Sequence, residues 1–217
     1  MITRLLVALN VLAFGFEFVK IGPNIFGGDI TNQNLYDIGA LLPAAVTQNH
    51  EYWRLISSGF LHANLIHIAV NMFSLWILGR VIENIAGPTR MAIIYFVSLV
   101  VSSFACVYFQ PDAFSLGASG AIFGLFGAFF AIGLKHGKPG MAMIKANLGI
   151  LAINLIFTFT FPGISKAAHV AGLISGFLLT YAIYFPPRPV AARVVDSTTG
   201  AVLESEFESA HARPPHA

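Results

Sequence analysis

A serine set among glycines is the first feature of this chain that points to chemistry. Ser119 lies between Gly117 and Gly120, where a polar loop meets a hydrophobic segment. Small residues at such spacing let two membrane helices approach closely, so packing alone would explain the run. The same glycines also clear space for a substrate backbone, and a hydroxyl in that space can act as a nucleophile. The position of a base decides between these two interpretations.

Histidines elsewhere in the chain supply the partners that a nucleophile needs. A neutral imidazole such as that of His169 can take the serine proton and return it to a leaving amine. The negative charge that develops on the attacked carbonyl oxygen also requires hydrogen-bond donors. His67 and Asn71 are four residues apart and share one face of a helix. Together with the Ser119 backbone amide, they are the available donors of an oxyanion hole.

The sequence offers no carboxylate as a third member of this group. The hydrophobic segments that carry Ser119, His169 and the pair His67 and Asn71 contain no Asp or Glu. In a triad such a carboxylate orients the base. The sequence therefore predicts a dyad of Ser119 and His169.

The composition is that of a protein embedded in lipid. Of its 217 residues, 56% are hydrophobic and only 10% are charged, and the mean hydropathy is +0.75. These values predict a polytopic membrane protein. The formal net charge of +2 is too small to indicate a nucleic acid partner, and the single cysteine, Cys106, excludes a disulfide within the chain.

Six hydrophobic segments approach the length of about 20 residues that a spanning helix needs. The expected fold class is therefore all-α, a six-helix transmembrane bundle over residues 1–185. Residues 186–217 are polar and rich in Pro, Glu and Ser, which predicts a disordered cytoplasmic tail. The six segments cover residues 5–19, 60–79, 91–109, 117–134, 146–165 and 167–185.

Basic residues set the expected orientation, because cytoplasmic loops are enriched in Lys and Arg. With the N-terminus inside, nine basic residues lie on the cytoplasmic side and three lie outside. Both termini are then cytoplasmic, and the second, fourth and sixth segments begin at the outer face. The nine are Arg4, Arg80, Arg90, Lys135, Lys138, Lys145, Arg188, Arg193 and Arg213, and the three are Lys20, Arg54 and Lys166.

This orientation places the polar side chains of three segments at one depth, in the outer part of the membrane. Polar groups within a membrane are costly, so such a cluster calls for a function. The pattern Gly-x-x-x-Gly follows Ser119 and also follows His169, and two such faces in contact would bring hydroxyl and imidazole within hydrogen-bond reach. The cluster comprises His62, His67, Asn71, Ser119 and His169, and the glycines are Gly120, Gly124, Gly172 and Gly176.

The connection over residues 21–59 is too long for a simple loop and is half apolar. Leu35, Ile38, Leu41 and Leu42 recur at near-helical spacing, which predicts short amphipathic helices that rest in the outer lipid interface. Glu17, near the outer end of the first segment, is expected to snorkel towards the headgroups.

Four motifs in this order resemble those of the rhomboid intramembrane serine proteases. Each motif is weak alone, but their order and spacing over residues 1–185 are specific. They are the outer-loop pair Trp53-Arg54, the pattern His62-x-x-x-x-His67-x-x-x-Asn71, the run Gly117-Ala118-Ser119-Gly120, and Ala168-His169 followed by Gly172 and Gly176.

The resemblance implies an enzyme of the bacterial inner membrane that hydrolyses peptide bonds in or near transmembrane segments of other membrane proteins, without a cofactor. It implies Ser119 as nucleophile, His169 as base, and His67 and Asn71 as oxyanion contributors. It also implies that Gly117 forms the close-approach turn. His62, Trp53 and Arg54 would be structural, as would Gly120, Gly172 and Gly176. The layout resembles the minimal bacterial type. Phe123 departs from the tyrosine that is frequent in the family at this position, and its ring is expected to stack on His169.

Other functions fit the sequence less well. A zinc protease would need a metal-binding motif, but the two histidines of the second segment are five residues apart, on different faces, so no metal is expected. Paired intramembrane aspartates, as in aspartyl proteases, are missing from the sequence, and no internal repeat indicates a transporter. A catalytically inactive relative that binds or escorts membrane clients is the alternative that stays open, and so does the oligomeric state.

Overall fold

A computed structural model describes residues 1–26, 28, 30–187, 190–195 and 202–207 of the chain, which divides into a membrane unit, Met1–Tyr184, and a C-terminal unit, Phe185–Ala217. The membrane unit is all-α, as predicted. Its helices are α1 (Ile2–Ile21), α2 (Asn32–Ile38), α3 (Pro43–Thr47), α4 (Arg54–Ser57), α5 (Leu65–Ser74), α6 (Arg80–Ala86), α7 (Pro88–Phe109), α8 (Ser119–Lys135), α9 (Gly137–Thr160) and α10 (Lys166–Ile183).

Six helical segments of this unit correspond to the six predicted spans. Among the described residues, five stretches are long and apolar enough to cross a membrane, namely those that contain α1, α5 with α6, α7, α9 and α10. The sixth, α8, has 17 residues, of which 12 are buried, and it forms the centre of the bundle. Its side chains pack with those of α1, α6 and α7 into one core that includes Leu6, Ile82, Ile94 and Leu125. The protein is an integral, multi-pass membrane protein.

The second span differs from its predicted bounds. Asn64 caps α5 by accepting a hydrogen bond from the His67 backbone N–H at 2.8 Å, so the helix begins at Leu65 instead of residue 60. A π-helical turn, Leu75–Gly79, then joins α5 to α6, and the span continues to Ala86. His62 therefore lies ahead of the helix and not within it.

Two buried carboxylates tie α1 to its neighbours at opposite ends. Glu83 accepts a hydrogen bond from the Thr3 hydroxyl at 2.7 Å near the start of α1. Glu17, near its other end, is fully buried and accepts the His62 backbone N–H at 3.0 Å. The expectation that Glu17 reaches the headgroups is wrong, because a buried backbone amide provides a partner inside the protein.

The predicted interfacial helices of the first loop exist as α2, α3 and α4, but part of their apolar surface faces protein. Ile38 and Leu41 are buried, and Leu41 packs with Val46, Leu55 and neighbouring residues of α7 and α10. Leu41 lies between helices and pairs with Ser115 through two backbone hydrogen bonds of 2.9 Å. The loop is therefore docked on the bundle through these residues and does not rest on lipid there.

In the C-terminal unit, strands β1 (Val190–Val195) and β2 (Val202–Phe207) pair in antiparallel register. This pairing differs from the disordered tail expected over residues 186–217. Valine favours extended conformations, which accounts for strands in these two short runs. Arg188 and Arg213, which contributed to the predicted orientation, lie outside the described residues.

Candidate active site

Ser119 and His169 lie within hydrogen-bond distance of each other. Ser119 is the first residue of α8, and His169 lies in the first turn of α10, four residues after the capping Ser165. The distance from Ser119 Oγ to His169 Nε2 is 2.8 Å, within the range for a nucleophile and its base. The start of α8 also leaves the first backbone N–H groups without partners inside the helix, which favours negative charge beside Ser119.

Glycines permit this approach of α8 and α10. A Cβ atom built on Gly172 would collide with the backbone oxygen of Gly120, and one on Gly176 would collide with the backbone oxygen of Gly124. The two Gly-x-x-x-Gly faces therefore meet, as the sequence predicted. Gly124 is also enclosed on another side, where it lies against Ser98 of α7. Any larger side chain along this seam would push the helices apart.

The imidazole of His169 is buried and is contacted on two further sides. Phe123 of α8 stacks on the ring, with 4.1 Å between centroids and an angle of 14° between planes. On its edge, the Thr158 hydroxyl of α9 lies 2.7 Å from Nδ1. Stacking by Phe123 was expected from the sequence. Thr158 was not identified, because a threonine in an apolar helix ordinarily bonds to its own backbone and carries no distinguishing pattern.

The proposed oxyanion contributors line the loop that precedes Ser119. Gly117 has φ of +124°, in the region that favours glycine, and a Cβ atom there would lie 2.8 Å from Nε2 of His67 and 3.8 Å from Nδ2 of Asn71. The absence of a side chain on Gly117 thus lets its backbone lie close to the two polar groups. Asn71 is buried and His67 is half-buried.

A backbone amide fixes the tautomer of His67. Ala63 donates its N–H to Nδ1 of His67 at 3.3 Å. Nδ1 must therefore present a lone pair, so a neutral His67 carries its proton on Nε2. Since Nε2 and Cε1 are the two His67 atoms that approach Gly117, His67 is prepared as a hydrogen-bond donor there.

His62 lies beside this group, against His67. It is fully buried, and its ring contacts that of His67 edge-on, with centroids 5.1 Å apart. Among the described residues neither ring nitrogen of His62 has a hydrogen-bond partner. The backbone of His62 is the part that is anchored, through Glu17. A structural role for His62 stays a prediction.

The pair Trp53 and Arg54 lies where the first loop folds onto the bundle. Arg54 is buried, donates to the Tyr36 and Ala40 carbonyls at 2.9 Å, and forms an ion pair with Glu51 at 2.6 Å. Hydrogen bonds from the Tyr36 hydroxyl and then from Arg54 lower the pKa of Glu51. The ring of Trp53 covers Gly39 and the Arg54 guanidinium. These contacts stabilise the first loop, which is far from Ser119 in the sequence.

The geometry defines a class of protein: a polytopic helical membrane protein with a serine and a histidine in contact at the N-terminal ends of two of its helices. No group of three metal-ligating side chains occurs among the residues that the structure describes. Residues 49–185 match the model of the Rhomboid domain family. The chain belongs to the rhomboid family.

Curated relatives include both proteases and an inactive protein. The chain is 35% identical to Rhomboid protease GluP of Bacillus subtilis over 85% of this chain and 35% of that one. It is also 35% identical to RHOMBOID-like protein 6, mitochondrial, of Arabidopsis thaliana, over 80% and 57%. The same identity relates it to Inactive RHOMBOID-like protein 8 of that plant, over 80% and 50%. The chain thus spans between about a third and somewhat over half of these relatives.

Proposed function

We propose that this protein is an intramembrane serine endopeptidase that hydrolyses peptide bonds in or near transmembrane segments of membrane-protein substrates. The observation that carries the proposal is the distance of 2.8 Å between Ser119 Oγ and His169 Nε2. His169 takes the hydroxyl proton as Ser119 attacks the carbonyl carbon, and then gives it to the leaving amine. Water hydrolyses the resulting acyl-enzyme with the same base.

In this proposal, three hydrogen-bond donors stabilise the charge on the tetrahedral intermediate. The donors are the Nε2–H of His67 and the Asn71 side-chain amide, which lie beside Gly117, and the backbone N–H of Ser119, two residues further along the chain. Preorganised donors of this kind often supply the largest part of a rate enhancement. A peptide carbonyl of the substrate fits this space because Gly117 has no side chain.

The substrate class follows from where the site lies. The first turns of α8 and α10 carry it, and with the excess of basic residues on the other side of the membrane these turns face outward. We place the protein in a bacterial inner membrane with both termini cytoplasmic. A substrate segment then arrives through lipid, past the sparsely packed α9 or the connection over residues 162–166. No cofactor, metal or nucleic acid takes part.

The experiment is labelling of purified protein in detergent with a fluorophosphonate, followed by identification of the modified peptide. We expect modification at Ser119, with none in Ser119→Ala and background levels in His169→Ala. Ser175→Ala is the matched control, since Ser175 lies on α10 and bonds only to the Gly172 carbonyl. We also expect wild type and Ser175→Ala to cleave a model transmembrane substrate, and Ser119→Ala and His169→Ala to leave it uncleaved.

The second function is that of an inactive protein that binds or escorts membrane clients. The identity of 35% to Inactive RHOMBOID-like protein 8 is the observation in its favour. The presence of both Ser119 and His169 argues against it. Folded wild-type protein that neither reacts with the fluorophosphonate nor cleaves, yet retains a client peptide, would replace the first proposal by this one.

A further inference from the structure

The base of the proposed dyad has a third partner, although the sequence offers no carboxylate for that position. His169 uses Nε2 for Ser119 at 2.8 Å and Nδ1 for the Thr158 hydroxyl at 2.7 Å. Both atoms of the second contact are shielded from water, since Thr158 is 1% exposed and His169 is 7% exposed. Water therefore does not substitute for the hydroxyl.

The Thr158 hydroxyl is oriented by its own helix. Thr158 Oγ1 lies 2.7 Å from the Asn154 carbonyl oxygen, which can only accept a hydrogen bond. The single hydroxyl proton is used in that bond, because two oxygens at this distance repel without a proton between them. The hydroxyl oxygen then faces His169 with a lone pair. The proton between Thr158 and His169 must come from Nδ1.

A proton on Nδ1 leaves Nε2 of the neutral ring free to accept. This is the tautomer that a general base needs towards Ser119, since a proton on Nε2 would point at the hydroxyl oxygen instead. Stacking by Phe123 cannot select this orientation of the His169 ring, because the ring stays in the same plane when it turns by 180° about its bond to Cβ. The hydrogen bond to Thr158 distinguishes the two orientations.

We infer that Thr158 is the positioning residue of the dyad, with the Asn154 carbonyl behind it, and that this relay holds His169 in the tautomer and orientation required for proton transfer from Ser119. The inference rests on the proposed function. It places the orienting group on α9, a helix different from those that carry the nucleophile and the base. Thr158 touches no substrate and does not itself exchange the catalytic proton.

The position of Thr158 on α9 supports this role. Across α9, which the structure describes throughout, the buried residues are Gly140, Ile144 and Thr158. The first two lie near its start, where Gly140 and Ile144 approach Gly133 of α8. Thr158 is 14 residues beyond Ile144, about 21 Å along the helix. The contact between the Thr158 hydroxyl and His169 is thus the buried contact near the C-terminal end of α9, where the other residues are exposed or half-buried.

The test uses three variants of α9 and one kinetic probe. Thr158→Val removes the hydroxyl at nearly constant shape, Thr158→Ser retains it, and Thr160→Val changes an exposed threonine of the same helix. We expect the rate of fluorophosphonate labelling at Ser119 to fall about tenfold in Thr158→Val, the size of effect of one buried hydrogen bond. Thr158→Ser should stay within about twofold of wild type and Thr160→Val should be unchanged. Thermal unfolding in detergent verifies that the variants are folded.

A second readout separates positioning from general stability. With histidine labelled by nitrogen-15, the resonances of His169 are identified by their loss in His169→Gln, and their shifts report which ring nitrogen is protonated. We expect Nδ1 protonated and Nε2 bare in resting wild type, and a mixture of tautomers in Thr158→Val. Protonation of Nε2 in the wild type, or a Thr158→Val variant with wild-type labelling rate and tautomer, overturns the inference.

The two proposals fail in different ways. If wild-type protein is not labelled at Ser119, the protease function fails, while the nitrogen-15 measurement on the resting protein still decides the tautomer. If labelling requires His169 but is indifferent to Thr158, the protease function holds and the positioning role is wrong.

Discussion

Two helices that contact α10 differ in burial: α8 has 12 of its 17 residues buried, and α9 has three of its 24 buried. The seam with α8 is closed by glycines whose backbones touch. Between α9 and its neighbours is an apolar cleft of about 260 Å³, lined by Leu151 of α9, Phe130 of α8 and Leu173 of α10. α10 is therefore held tightly by α8, and also by α7, whereas its contact with α9 is sparse.

The proposed reaction has two structural requirements, and each is met by one of these two contacts. Attack needs the serine and the base at a fixed separation, and a packed seam without side chains provides it. Entry of a substrate from lipid needs a helix that moves at small cost, and an exposed helix has few contacts to lose. His169 belongs to both sides, since Nε2 faces α8 and Nδ1 faces α9.

The largest effect is expected from widening the tight seam. Gly172→Val places a branched side chain against the Gly120 backbone oxygen, where even a Cβ atom collides. Overpacking of this kind costs about 1–3 kcal/mol or more, and here it also separates Ser119 from His169. We expect cleavage of a model substrate to fall to background and the melting temperature in detergent to drop. A structure of this variant with the Ser119–His169 hydrogen bond intact would refute the packing argument.

Removal of a leucine from each side of the comparison should have unequal effects. Leu125 on α8 is fully buried, so Leu125→Ala leaves a cavity and should lower the free energy of unfolding by about 2–5 kcal/mol. Leu151 on α9 borders an existing cleft, so we expect a loss of roughly 1 kcal/mol or less for Leu151→Ala. Denaturant titration of helicity measures both. Equal losses would mean that α9 is packed as firmly as α8.

A smaller effect is expected from the ring that stacks on the base. Phe123→Leu keeps an apolar side chain but removes the face-to-face contact with His169, and aromatic pairs contribute about 0.5–1.5 kcal/mol beyond buried area. We expect the labelling rate at Ser119 to fall roughly two- to tenfold. Phe130→Leu, on the same helix beside the cleft, serves as the control. A loss in the control as large as in Phe123→Leu would assign the effect to α8 packing instead of stacking.

Much of this arrangement was predictable from the sequence because membrane helices obey strong constraints. Hydropathy located six spans, and the spacing of Gly120, Gly124, Gly172 and Gly176 predicted which faces meet. The contact of Ser119 with His169 follows from those two facts. The family assignment rested on motifs, most of which lie in or next to the same helices.

Other contacts between distant polar groups were not predictable. The start of α5 depended on a cap by Asn64, and Glu17 was assigned to the headgroups because its partner, a backbone amide at His62, has no sequence signature. Thr158 was missed for the same reason, since its role arises from a tertiary approach of α9 to α10. Leu41 was placed in lipid because periodicity shows that a face is apolar but does not show what covers it.

The smallest effect is expected at Gly149, in the exposed part of α9, and it tests the loose side most directly. A Cβ atom there meets nothing within 4 Å, and the backbone is ordinary helix. Valine has a somewhat better helix propensity than glycine, so Gly149→Val should leave the melting temperature and the labelling rate at wild-type values or raise the former slightly. The substitution is chemically identical to Gly172→Val and differs only in its surroundings. If Gly149→Val and Gly172→Val both lost activity, the loss would arise from a branched residue in any helix, or from a surface that packs on Gly149 in the working protein. The contrast between the contacts of α10 with α8 and with α9 would then not explain how the base is held.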